Sequence, residues 1–453
     1  LINVKTMQER VKQGTRLRRV VVGAFSAFVG KGTSLLVSLI TLPITVRYLG
    51  PTQYGIWVTI SSTVLMLGVL DLGIASTLTN YIAKANANQD QEAARSYYAT
   101  AFYITTAIAT CLSVVFYVVW HTISWGSLFG VHDPALAEKA GLCVGVAVLF
   151  FVFNLPLTLA ARVLSGYQEV QISNYFAMAA SLLQLAAILF GIAAHTGIVG
   201  LMMLFCGAVL TGNVALNVWL MVRSRPWIRP RISSMRRDMV QDLFGEGIRF
   251  FVLQLSGLVV FNSDNLVITH YLGSAEVTPY SVTSRLMSIA VTLHTLLIPV
   301  LWPTFSDAFH RGDMQWLRKT YRKVASLTLG SVVLMAVTFA IFGQWIIRLW
   351  ATSAAVPSTA LIWAMASWII ILAISTNQSC LLAATQRIGI QAVASSIAAV
   401  FNLAASIYLV QRMGTVGVVL ATILSYLIFI IAPQAWEVQR ILRGRYSKVE
   451  AAI

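Results

Sequence analysis

Four charged residues stand inside stretches that are otherwise apolar, and their types and spacing suggest ion handling: Lys31, Asp71, Asp264 and Arg285. A charge at the centre of a bilayer costs about 2.5 to 3.5 kcal/mol on insertion scales unless it is paired or hydrated, so each is a candidate functional group. Polar residues follow two of them at helical spacing. Lys31, Ser34, Ser38, Thr41 and Thr45 step by three and four, as do Ser281, Arg285, Ser288, Thr292 and Thr295. Such a stripe needs protein or water beside it, because lipid offers it no hydrogen bonds. Asn262, Ser263, Asp264 and Asn265 add a polar cluster close by in the chain. The basic groups and the hydroxyl and amide side chains suit a polar or anionic cargo. Asp71 and Asp264 are the candidates for coupling to a cation.

The elements that must carry these residues are membrane helices. The chain has 453 residues, 58% hydrophobic and 11% charged, against about a quarter charged in an ordinary soluble domain. That composition excludes soluble enzymes, nucleic-acid-binding domains and disordered chains. Twelve apolar stretches are long enough to cross about 30 Å of hydrocarbon: residues 20–46, 54–83, 96–120, 140–161, 172–194, 198–222, 250–269, 277–305, 324–347, 358–384, 388–410 and 413–436. The net charge of +16 reflects topology, since most basic residues lie in the two tails and the even-numbered connections. Arg223, Arg225, Arg229, Arg231, Arg236, Arg237, Arg440, Arg443, Arg445 and Lys448 are examples. By the positive-inside rule both termini are expected in the cytoplasm, and nucleic acid is not expected as a partner.

An internal repeat divides the helices into two sets of six. At an offset of 223 residues, Tyr48-Leu49-Gly50 recurs as Tyr271-Leu272-Gly273, Asp90 as Asp313, Tyr98 as Tyr321 and Asn154 as Asn377. The register slips later, where Gly197, Val199 and Gly200 return as Gly414, Val416 and Gly417. An even number of spans per repeat gives both copies the same orientation. The expected organisation is a basic N-tail (1–19), a six-helix bundle (20–222), a basic linker with Pro226 and Pro230 (223–249), a second bundle (250–436) and a basic C-tail (437–453). The fold class expected is an all-α polytopic membrane protein built from two parallel six-helix repeats.

The leading hairpin of each repeat holds one acid and one base at matching depth. Lys31 and Asp71 differ by only about 3 Å along the helix axes, so an ion pair is open to them, and a second to Asp264 and Arg285. The favoured reading is a hydrophilic cleft lined by the first, second, seventh and eighth spans. Helix-to-helix adhesion explains paired charges and hydroxyl stripes as well, and Asp71, which opens an Asp-Leu-Gly step, also fits a helix end. His294, equivalent to Asp71 in the repeat, reads as packing. The linker arginines fit either orientation or contact with anionic lipid.

Cys111, Cys143, Cys206 and Cys380 have no paired spacing and read as packing residues. No nucleotide-binding motif or metal-ligand pattern stands out, so no cofactor is expected. The chain opens at Leu1 with Met7 close behind, and either can be the start. A membrane-embedded glycan polymerase or ligase would need a sizeable outer loop with catalytic acids or arginines, whereas the longest outer connection, around Thr122 to Lys139, offers only His132, Asp133 and Glu138 for such a role.

The run from Tyr48 through Gly50, Pro51, Tyr54 and Gly55 to Trp57, with Asp71-Leu72-Gly73 and Tyr81-Ile82-Ala83 after it, resembles the polysaccharide-transport proteins, the Wzx-type O-antigen flippases. The likeness continues through Leu272-Gly273 and Tyr280, and through the late Gly-x-Val-Gly steps. It implies the V-shaped fold of the superfamily that also holds multidrug extruders and lipid II flippases. It further implies a cargo, an oligosaccharide on undecaprenyl diphosphate moved from the inner to the outer leaflet of the bacterial inner membrane. Membrane lipids, a polysaccharide polymerase and chain-length machinery are the partners so implied. A multidrug antiporter is the rival; it would be expected to have a net acidic cleft, whereas here two bases balance two acids.

Overall fold

The computed structural model describes residues 4–131, 133–295, 298–385 and 387–443. Leu1, His132, Arg445 and Lys448 lie outside them. The described chain is helical almost throughout, as its composition requires: with no water to satisfy backbone groups, a segment in hydrocarbon must bond to itself. The helices are α1 (Val4–Leu67), α2 (Ile74–Ala87), α3 (Gln91–Val119), α4 (Trp125–Phe129), α5 (Pro134–Leu157), α6 (Leu159–Gly166), α7 (Val170–Ala193) and α8 (Gly197–Val218). After the linker come α9 (Arg237–Leu272), α10 (Ser274–Thr295), α11 (Ile298–Arg311), α12 (Met314–Trp350), α13 (Thr359–Ala384), α14 (Ile388–Met413), α15 (Thr415–Ser425) and α16 (Ala432–Leu442).

Nine helical stretches among the described residues are long and apolar enough to cross a membrane. The first, Phe25–Val64, takes in most of the first expected span and part of the second. The expected spans at 250–269 and 277–305 are not among the nine; they fall on α9, α10 and α11, where Asp264 and Arg285 sit.

Backbone conformation marks the duplication independently of side-chain type. Gly50 and Gly273, 223 residues apart, both have positive φ, at 73° and 91°. Gly197 and Gly414, in the slipped register, do so at 69° and 61°. Gly50 interrupts the helical geometry of α1 and turns the chain where the first hairpin was expected to turn.

The chain forms two compact units that do not follow a single cut at the linker. The first comprises residues 1–41, 67–124 and 139–251, the second residues 42–66, 125–138 and 252–453. In the first, Ile74, Leu78, Ile82, Tyr98, Leu159, Leu164 and Leu220 make a core between α2, α3, α6 and the helical turn that follows α8. Asparagines bind its helices: Asn213 donates to Asn154 at 2.8 Å and Asn217 donates to the carbonyl of Leu157 at 2.7 Å. In the second unit Ile268, Val277, Met287, Val332, Leu361, Ile362 and Val418 form the main core. There Asn377, the repeat partner of Asn154, donates to Thr328 at 3.1 Å.

The second unit also holds the segment after Gly50 tightly. Thr278 donates to the carbonyl of Pro51 at 2.6 Å, Thr59 and Thr269 share a 2.6 Å hydroxyl bond, and Arg47 Nε donates to the carbonyl of Ala351 at 2.8 Å. A Cβ on Gly55 would collide with the carbonyl of Ser274, so only glycine permits this approach.

Candidate functional site

Within the second unit, α9 and α10 bring three of the expected residues together. Asp264, 7% exposed, accepts a 2.5 Å hydrogen bond from the Tyr280 hydroxyl at Oδ2. Its Oδ1 is buried without a hydrogen-bond partner among the described residues. One residue further along both helices, Ser281 donates to Asn265 at 3.3 Å. Asn262 is half-buried, one turn before Asn265 on α9.

The ion pair that matching depth left open to Asp264 and Arg285 is not formed. The acid points to Tyr280 instead, because a phenol donor satisfies a buried carboxylate without burying a second charge. Arg285 is exposed and makes no ion pair among the described residues. On α10 the exposed residues are Ala275, Glu276, Ser284, Arg285 and Leu293, so the face around Arg285 is polar. Along that face Ser288 donates to the carbonyl of Arg285 at 2.7 Å, and Thr292 to that of Ser288 at 2.8 Å. These hydroxyl donors are satisfied inside the helix, while their oxygen lone pairs remain available as acceptors.

In the first unit α1 presents two exposed faces. Lys31 and Ser34 are exposed, with Ser38 half-buried beneath them. Val29, Leu36 and Ile40 are also exposed, about half a turn away at roughly 100° per residue. An apolar exposed face suits hydrocarbon, and a face with a lysine suits water. The other pair left open by depth, Lys31 with Asp71, is not formed either.

Asp71 sits outside any continuous membrane helix. The chain leaves α1 through a short 3-10 turn, Gly68–Asp71, and passes Leu72 and Gly73 with φ of 52° and 75° before α2 begins. The Asp71 carboxylate accepts from the Gly73 amide at 2.8 Å. It therefore serves a backbone donor at a helix start, where amides have no intrahelical partner. The Asp-Leu-Gly step, with glycine free to take positive φ, was the signal for this turn. A Cβ on Gly73 would collide with the Gly247 carbonyl, so the turn is also seated directly against α9.

Sequence reasoning missed a polar cleft at the linker end of the first unit. It has a volume of about 730 Å³ and lies among the α2–α3 turn, the α6–α7 turn and the linker. Its wall is an ion pair, Arg225 to Glu169, with both guanidinium nitrogens donating at 2.9 Å. The Arg225 guanidinium also lies 4.0 Å from the centre of the Tyr167 ring. The second repeat places a related pair near its own end with the signs exchanged: Arg387 lies 3.9 Å from the buried Glu437. No group of His, Cys, Asp or Glu that could hold a metal occurs among the described residues.

The helical architecture defines a multi-pass membrane transporter fold. A multidrug resistance MATE family transporter of the MOP superfamily, solved in an inward-facing conformation, superposes with a TM-score of 0.78 at 15% identity, over 91% of this chain and 96% of that one. The lipid II flippase MurJ, in an inward closed conformation, gives 0.72 at 13% identity, over 91% and 87%. The chain belongs to the family described as polysaccharide biosynthesis protein, whose pattern matches residues 20–309. A Salmonella typhi protein described as an O-antigen transporter is 22% identical over 70% of this chain and 71% of its own length.

Proposed function

We propose that this protein is a flippase for lipid-linked oligosaccharides, carrying undecaprenyl-diphosphate-linked glycan units from the inner to the outer leaflet of the bacterial inner membrane. The observation that carries this reading is the pair of exposed basic, hydroxyl-bearing faces, Lys31 with Ser34 and Arg285 with Ser284, on segments of a protein of the polysaccharide biosynthesis family. The naming of a relative as an O-antigen transporter and the fold shared with a lipid II flippase support it.

The chemistry follows from the charges that remain available. Both acids of the hairpins are buried and hydrogen-bonded, whereas both bases are exposed, so the polar faces are net positive and suit a diphosphate. Sugar hydroxyls have acceptors along Ser34, Ser38, Ser288 and Thr292, and the polyprenyl tail stays in hydrocarbon. Alternating access by the two repeats moves the head group. Asp264, with one unpartnered oxygen, is the better placed carboxylate for coupling to a cation gradient; Asp71 is committed to its turn. Both termini and the linker face the cytoplasm in this scheme, with bundles at 20–222 and 250–436.

The test is deletion of the gene in its own host. Loss of surface glycan with accumulation of the lipid-linked unit on the inner leaflet is expected. A deletion strain with normal surface glycan and no accumulated intermediate would sink the proposal. The likeness to multidrug transporters gives the second reading, organic-cation efflux, which predicts drug sensitivity in the same strain with the glycan unchanged.

A further inference from the structure

The cleft at the linker end of the first unit has the size and the polar lining to hold a small molecule. Its volume of about 730 Å³ falls in the range of about 300 to 1,000 Å³ typical of small-molecule sites. Three amide side chains, Asn86, Gln89 and Gln91, line it, are exposed, and make no hydrogen bond to another described residue. Beside them stands the half-exposed indole of Trp227.

The backbone at Gln89 gives a second, independent observation. Gln89 has φ of 57°, a left-handed conformation that disfavours any side chain. Its repeat counterpart, 223 residues on, is Gly312, with φ of 77°. The second unit makes the same turn with the residue that suits it, and the first makes it with a strained glutamine. Strain retained at a position where glycine would relieve it points to a task for the side chain.

Charge selects the ligand class. Arg225 is neutralised by Glu169, which leaves Asp90 as the one uncompensated charge on the lining. Asp90 itself accepts from the Ala93 amide at 2.8 Å as the cap of α3. A lining with one net negative charge repels phosphate. Amides that both donate and accept, next to an aromatic face that can pack against C–H groups, suit a polyhydroxylated neutral molecule. We infer that this cleft binds neutral sugar residues of the glycan before translocation. The inference rests on the flippase reading, in which the head group is presented on the linker side of the membrane.

The test uses the full-length protein in lipid nanodiscs. The probe is the oligosaccharide released by mild acid from the host's lipid-linked pool and then dephosphorylated, followed by saturation-transfer NMR. Saturable binding is expected. Gln89→Gly should weaken it by about threefold or more while the melting temperature holds or rises, because the strain is removed with the side chain. Trp227→Leu should weaken it about tenfold, and Gln315→Ala, an exposed change in the second unit, should leave it unchanged. Three results would overturn the inference: no saturable binding by the unmutated protein, equal binding by both cleft variants, or about tenfold tighter binding of the 1-phosphorylated probe. The deletion strain keeps the two ideas separable. If the lipid-linked unit accumulates there but the cleft variants bind like the parent, the cleft inference alone fails. If nothing accumulates, the flippase reading fails whatever the cleft binds.

Discussion

The leading hairpins of the two repeats hold the same set of charges, one acid and one base, yet use their acids differently. In the first, Asp71 closes a turn by accepting the Gly73 amide, and Lys31 stands exposed on another turn of the chain. In the second, Asp264 is held by the Tyr280 phenol with one oxygen unpartnered among the described residues, and Arg285 stands exposed on α10. The repeat therefore duplicates a division of labour rather than a set of positions: acid buried and bonded, base presented. Asp264 falls on Thr41 at the repeat offset, and Arg285 on Ser62. Symmetry of backbone did not require symmetry of charge.

Five substitutions break or sharpen that contrast. The largest effect is expected from Arg285→Glu, which reverses the exposed charge of the second hairpin. Surface glycan measured in the complemented deletion strain should fall by about tenfold or more, and Lys31→Glu should act in the same direction. A reversal tolerated at both positions would remove the bases from the transport path. Tyr280→Phe comes next, since it leaves both Asp264 oxygens buried without a donor; a loss of about 1 to 3 kcal/mol is expected in thermal or denaturant unfolding. Asp71→Ala should cost about 0.5 to 2 kcal/mol through the lost turn bond, with transport per folded molecule retained. Smallest is Asp71→Asn, which keeps an acceptor for the Gly73 amide and should cost only a few tenths of a kcal/mol. If Asp71→Asn abolished transport in a folded protein, Asp71 would have to be counted as a working acid and the contrast would collapse.

Much of the architecture was legible because hydrocarbon imposes strong rules. Long apolar stretches had to be helices, and the repeat was visible in Tyr48-Leu49-Gly50 and Tyr271-Leu272-Gly273, whose glycines take the same backbone conformation. The polar stripes were equally readable, since spacing by three and four fixes a helix face. What could not be read was which way each charge turns. Matching depth made ion pairs between Lys31 and Asp71, and between Asp264 and Arg285, geometrically open, but depth says nothing of azimuth, and nearer partners won. Tyr280 and the Gly73 amide lie within reach of their acids at no cost of burying a cation. The linker-end cleft was hidden for another reason. Its walls come from three connections far apart in the chain, and only the contrast of Gln89 with Gly312 in the repeat could have flagged it.

The two exposed sides of α1 have a further consequence. Val29, Leu36 and Ile40 look one way, Lys31 and Ser34 the other, across a cylinder about 10 to 12 Å thick. In the proposed flippase scheme this rod would stand between hydrocarbon on one side and water on the other. A cargo whose tail is greasy and whose head is hydrated can straddle it, each end remaining in its preferred medium, with no need for a sealed tunnel to enclose the entire molecule.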